Sequence, residues 1–162
     1  MPVVVTAVAV RPGSLKRPAP LPTWPVDDVA FEVAGEPRPL ARPRFSGDNV
    51  YNPSAGDIRD WARAAQPYER AACVACGPVR IDLTFEFARP QSHRRARGAL
   101  KDSAPLFHVS TPDVDNLAKL ALDAMNGRFY RDDSQVVELT ARKVYTDGPA
   151  RTLVRLRYGF RQ

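Results

Sequence analysis

The sequence predicts an α+β fold, a small mixed β-sheet of about four strands packed against two main helices. Three observations predict it. Val79, Ile81, Leu83, Phe85 and Phe87 alternate with Arg80, Asp82, Thr84 and Glu86, the period-two signature of a strand with one buried face. Val114, Leu117, Ala118, Ala121, Leu122 and Met125 recur at helical spacing and form one apolar stripe. Strand and helix patterns follow one another in the order β-α-β-loop-α-β-β, which puts helices against a sheet. A chain of 162 residues suits a single domain with a sizeable core.

Residues 1 to 27 carry six prolines with Arg11, Lys16 and Arg17, a composition that resists helices and strands. They read as a proline-rich basic tail expected to be disordered, with the folded domain spanning 28–162. A first strand is predicted over Val29–Ala34, with Val29, Phe31 and Val33 on one side. Gly35 to Val50 combines Pro37, Pro39 and Pro43 with Arg38, Arg42 and Arg44, a stiff basic loop. Asn52 is the expected cap of a helix starting at Pro53, with Ile58, Trp61, Ala62 and Ala65 at helical spacing. Pro67 kinks or ends that helix, and a second helical piece reaches about Cys76.

Gly77-Pro78 opens the alternating strand. Residues 89 to 111 form a long loop rich in cations, and loops of that length are often functional. The second helix is predicted over Asp113–Met125, stopped by Asn126-Gly127. Gln135–Tyr145 and Thr152–Phe160 read as strands joined by Asp147-Gly148-Pro149, and so as a hairpin.

Composition limits the function. No apolar run approaches the roughly 20 residues needed to span a bilayer. Met1 to Val10 lacks a basic leader and a cleavage site, so no signal peptide is expected and the cytoplasm is the expected compartment. The net charge of +6 and pI near 9.7 favour a polyanionic partner, nucleic acid before membrane. Arginine dominates the cations, which suits phosphate recognition and equally suits a GC-rich genome. Cys73 and Cys76 form a lone C-x-x-C that reads as two buried thiols rather than a redox or zinc site. His93 and His108 read as loop residues or phosphate contacts. No phosphate-binding glycine loop and no small-molecule cofactor motif is present.

Residues 112 to 138 concentrate acid in this basic chain: Asp113, Asp115, Asp123, Asp132, Asp133 and Glu138. Gathered carboxylates repel one another, and a divalent cation with a taste for oxygen ligands relieves that repulsion. Asp115, Lys119 and Asp123 share one helical face at i, i+4 and i+8, and Asp113 sits at the helix start. Asp132 and Asp133 precede a strand, where neighbours point to opposite sides, so one of the two is expected to face the helix. A cation there would polarise water and neutralise charge on a phosphate, with Lys119 holding a phosphate oxygen or the leaving group. Taken singly, the same residues also fit a surface i,i+4 pair, a first-turn acid and a plain turn. Arg38, Arg42, Arg44, Arg94, Arg95, Arg97 and Lys101 are the candidate DNA-gripping cations, or else solvated loop charges.

The run Pro112-Asp113-Val114-Asp115-Asn116-Leu117-Ala118-Lys119, followed by Asp123-Ala124-Met125-Asn126-Gly127 and Asp132-Asp133-Ser134-Gln135-Val136-Val137, resembles the RusA family of Holliday-junction resolvases. Upstream, Gly35-Glu36-Pro37-Arg38 through Arg42-Pro43-Arg44-Phe45 resembles the family's basic segment. The resemblance implies a RusA-like fold and a Mg²⁺-dependent endodeoxyribonuclease, with Mn²⁺ as a substitute, that cuts four-way DNA junctions as a homodimer in recombination and repair. It implies Asp113, Asp115 and Asp133 as catalytic metal ligands and Lys119 as a residue needed for cleavage. This chain departs from the family where some members carry a basic run directly before the core. Here Phe107-His108-Val109-Ser110-Thr111 stands instead, and the basic run lies at 89–101. The alternatives are a non-catalytic DNA-binding accessory protein and a metal-dependent nuclease acting on other branched DNA.

Overall fold

The computed structural model describes residues 28–47, 49–69 and 77–159. The proline-rich segment 1–27, Cys73, Cys76 and the second helical piece lie outside these residues. The elements are β1 (Asp28–Ala34), β2 (Arg44–Ser46), β3 (Asn49–Tyr51), α1 (Ala55–Ala65), β4 (Val79–Ala88), α2 (Val114–Met125), β5 (Val136–Thr146) and β6 (Arg151–Tyr158). A four-stranded sheet runs β1-β6-β4-β5, with β2 and β3 forming a separate two-stranded ribbon. β4 pairs parallel with β5 and antiparallel with β6, and β1 pairs antiparallel with β6. The predicted α+β architecture with a mixed four-stranded sheet and two helices is therefore the observed one.

Alternation dictates which face is covered. Val79, Ile81, Leu83, Phe85 and Phe87 are all buried, as are Val154 and Leu156 of β6 and Val29, Phe31 and Val33 of β1. The helices lie against this face, contributing Trp61, Ala62 and Ala65 from α1 and Leu117, Ala118, Leu120, Ala121, Ala124 and Met125 from α2. Phe31 is an aromatic hub, stacked on Phe129 and Tyr68 at 5.1 Å each and meeting the edge of Trp61 at 6.0 Å. Such pairs add stabilisation beyond area burial.

The other face of the sheet is charged and self-compensated. Register aligns Arg80, Arg142, Arg151, Arg155 and Arg157 with Asp28, Glu32, Asp82, Glu86 and Glu138 on that side. Arg151 reaches Glu86 at 2.7 Å and Glu32 at 2.8 Å; Arg80 reaches Glu138 at 3.2 Å and Asp82 at 3.7 Å; Arg157 reaches Asp82 at 3.5 Å. Arg155 binds Asp28 through both Nε and a terminal nitrogen. That hydrogen bonding holds the Asp28 carboxyl below its ordinary value of 3.8, against the opposing effect of burial. A depressed carboxylate stabilises the fold above its unfolded pKa, and the contribution fades as pH falls through the folded value. Asp28→Asn is accordingly expected to lower the melting temperature slightly at neutral pH, the modest effect of an exposed pair. The gap from the parent should close in acid, which paired melts at pH 7 and pH 3 would measure.

Two local expectations are corrected. The last two strands are not a hairpin, because β5 and β6 flank β4 on opposite sides. β6 alternates Thr152, Val154, Leu156 and Tyr158 inward and is buried best between two neighbours, whereas β5, half polar, takes the edge. The link 147–150 passes over the end of β4, tied by Arg89 N–H to Thr146 O (3.0 Å) and Gly35 N–H to Ala150 O (3.0 Å). The first helix begins at Ala55 rather than Pro53. Asn52 Oδ1 instead accepts from Ser54 N–H at 2.9 Å, forming a turn ahead of the helix.

Candidate active site

The loop from Arg89 to Pro112 brings the chain from β4 to α2, and it is ordered by side chains that grip backbone. Phe107 bridges Val144 of β5, with Tyr145 N–H donating to Leu106 O at 2.9 Å. Lys143 Nζ donates to Ser110 O and to Pro112 O, at 2.6 Å each. Three successive features of the loop's end are thus fixed by β5 immediately before Asp113. His108 stacks on Phe87 at 4.0 Å, and His93 meets the edge of Tyr145 at 4.9 Å, so both histidines are packing groups of this loop.

α2 begins at Val114, with Asp113 in the capping position. A capping aspartate ordinarily accepts a first-turn N–H. Asp113 makes no such side-chain bond, and only its backbone carbonyl is engaged, by Leu117 N–H at 3.1 Å. Its carboxylate is exposed and uncommitted to the helix. It borders a groove of about 610 Å³ lined by Glu36, Pro37, Arg38, Pro39, Leu40, Phe87, Thr111, Pro112 and Asn116. The basic segment that precedes β2 therefore lies beside Asp113, and Leu40 N–H donates to Asn116 O at 2.9 Å to hold it there.

One turn along α2, Lys119 Nζ lies 3.4 Å from Asp115 Oδ2, a loose and half-exposed pair. A further turn on, Asp123 has its carboxyl pushed up, first by burial and then by the charge of Asp133. Buried Tyr130 forms the floor of this corner, its hydroxyl donating to Leu122 O at 2.9 Å. Burial, then Asp133 and Asp123, drive the Tyr130 pKa upward. Asp132 is spent locally: its Oδ1 accepts from Ser134 N–H at 2.9 Å, and Gln135 Oε1 accepts from Asp132 N–H at 3.2 Å. The hydrogen bonds from Ser134 lower the Asp132 pKa.

The charge of Asp133 thus acts on Asp123 near the C-terminal end of α2, while Asp113 and Asp115 stand at its N-terminal end. Among the described residues no group of three or more His, Cys, Asp or Glu side chains is arranged to hold a metal ion. Glu138 belongs elsewhere, on the charged sheet face with Arg80. Tyr130 and Lys143 escape a reading of the sequence alone. Their partners are backbone carbonyls, which leave no motif.

The candidate DNA cations divide. Arg94 is bound to Asp147 at 2.7 Å, Arg95 to Asp102 at 2.7 Å and Lys101 to Ser92 O at 2.8 Å. Arg38 faces Asp57 at 3.9 Å. Arg42, Arg44 and Arg97 are exposed, and no partner is seen for them among the described residues. No helix among the described residues is long and apolar enough to cross a membrane.

A mixed-sheet α+β domain with exposed carboxylates along one helix, beside a proline- and arginine-rich segment, defines the class. The family model for endodeoxyribonuclease RusA matches residues 34–157, and the chain belongs to that family. It is 30% identical over 131 residues to the uncharacterized protein YqaN of Bacillus subtilis (strain 168), covering 76% of this chain and 92% of that one. It is 38% identical over 68 residues to the crossover junction endodeoxyribonuclease rusA of Lactococcus phage r1t, covering 41% of this chain and 45% of that one.

Proposed function

We infer that the chain is a divalent-cation-dependent endodeoxyribonuclease that resolves Holliday junctions in DNA recombination and repair, working in the cytoplasm. The observation that carries this reading is Asp113, a helix-capping carboxylate free of its helix, facing a groove bordered by the basic segment. The donors available are carboxylate oxygens, the set that suits a hard cation, and the Asp123–Asp133 repulsion is of the kind a cation relieves. Asp113, Asp115 and Asp133 are the residues proposed to hold Mg²⁺ or Mn²⁺, although they do not form a three-ligand cluster in this structure. Mg²⁺ keeps several waters and needs only one or two carboxylates directly. When bound, the cation supplies a polarised water and positive charge at the scissile phosphate. Lys119, adjacent to Asp115 and half exposed, offers an ammonium to a phosphate oxygen or the departing oxygen. Arg42 and Arg44 contribute charge for the arms. A homodimer matches the approximate two-fold symmetry of a junction and supplies the two opposed nicks that resolution needs.

The test is a labelled four-way junction offered beside duplex, flap and fork substrates, with Mg²⁺, with Mn²⁺ and with chelator. Paired symmetric nicks in the junction alone, lost in chelator, are expected. Binding without cutting under every cation would make the chain an accessory binder. Preferred cutting of flaps or forks would assign it to another branch of nucleases.

A further inference from the structure

The β2–β3 ribbon is left over once the fold and the carboxylate groove are accounted for, and its composition is unusual for a surface hairpin. Phe45 is 79% exposed and Val50 61% exposed. The two face each other across the ribbon and so share one side of it. Arg44 pairs with Tyr51, which is 47% exposed, on the opposite side. An isolated two-stranded hairpin is marginal in water, and a phenylalanine this exposed adds little burial to its stability. Single exposed apolar residues are ordinary; here Phe45 and Val50 are exposed side by side on one face of a small ribbon whose other face carries Arg44 and Tyr51.

The base of the ribbon is fixed while its faces are open. Ala41 N–H donates to Ser54 Oγ at 2.8 Å, and buried Ser54 closes the far end through its own N–H to Asn52 Oδ1. Leu40, one residue earlier, is tied to α2 at Asn116. Residues 36–40 line the same groove as Asp113, so the ribbon is anchored next to that carboxylate. Arg42 precedes its first strand and Arg44 opens it, both exposed and without an acidic partner among the described residues. Cations for phosphates interleaved with rings for bases is the chemistry of single-strand recognition.

We propose that the β2–β3 ribbon is a base-stacking wedge, in which Arg42 and Arg44 contact backbone phosphates and Phe45, backed by Val50, stacks on an unstacked base face at the branch point of DNA. This rests on the reading of the chain as a branched-DNA nuclease and adds the part of the substrate that is sensed. A duplex arm buries its base faces in its own stack, whereas a branch point exposes them. The ribbon therefore favours branched over continuous DNA at a place separate from the carboxylates.

The experiment uses the full chain in chelator with junctions carrying 2-aminopurine either at the branch or within an arm. Wild type should alter the fluorescence at the branch and not in the arm. Phe45→Leu, which keeps an apolar side chain and removes the π-face, should lose that signal and about tenfold in junction affinity, with duplex affinity unchanged. Phe45→Trp should restore both. A Phe45→Leu protein with wild-type signal and affinity overturns the wedge. So does a change of oligomeric state in Phe45→Leu by light scattering with branch fluorescence intact, which would assign the patch to a second copy of the chain. If wild type binds junction no better than duplex, the nuclease reading fails first and the wedge falls with it, a result distinguishable because it precedes any variant.

Discussion

Asp113→Asn and Asp115→Asn are each expected to reduce junction cleavage by at least about a thousandfold while junction binding stays within a few-fold of the parent. The change is nearly isosteric and removes one negative charge. Asp113 makes no side-chain capping bond, and Asp115 makes only a loose one to Lys119, so the folding cost should stay within about 0.5 kcal/mol. Cleavage and binding therefore separate, as a chemical role requires. Gel cleavage assays with Mg²⁺ and Mn²⁺, run beside binding measurements in chelator, check this. Normal cutting by either variant would remove that carboxylate from the site. Loss of binding together with a lowered melting temperature would give it a structural role instead. Asp133→Asn belongs in the same series, as the third carboxylate proposed for the cation.

Lys143→Met carries the second large effect, and it acts through the backbone of the loop that leads into α2. The ammonium donates to two carbonyls, Ser110 O and Pro112 O, that immediately precede Asp113. Methionine keeps most of the side chain's length and removes both bonds. Charge-assisted hydrogen bonds of this kind are the strong ones, and unsatisfied carbonyls here should cost about 1–3 kcal/mol of stability. A larger penalty is expected in turnover, about a hundredfold, because a carboxylate displaced by an ångström or so loses its geometry. Junction affinity should change little. Lys143→Arg, which retains a donor, should recover part of the loss. The check is kcat against junction affinity in both variants; wild-type turnover in Lys143→Met would show that the end of the loop holds its place unaided.

How much of this was readable in the chain depended on whether the signal was local. β4 was legible from its strict alternation, and α2 from its stripe, because burial on one face writes itself into every second or every third and fourth residue. The hairpin misreading of β5 and β6 has a physical origin. A turn sequence reports that the chain reverses, not which strand it then joins, and β4 offered a more apolar neighbour than β5. The acid cluster was legible as composition. Its distribution was not, since Asp132 is withdrawn by a capping box and Asp123 feels the charge of Asp133 across the turn between α2 and β5. The pairing of the loop cations was hidden for a similar reason. An arginine paired with Asp147 or Asp102 looks the same in a sequence as one facing solvent.

The ten ionised groups on the uncovered side of the sheet sum to zero, five arginines against five acids. The formal excess of +6 therefore resides in the remainder of the chain. To a polyanion arriving through the solvent, that side is electrically silent. Beyond a Debye length or so the approaching DNA feels only the other surfaces, so diffusion alone begins to orient the encounter before any contact forms.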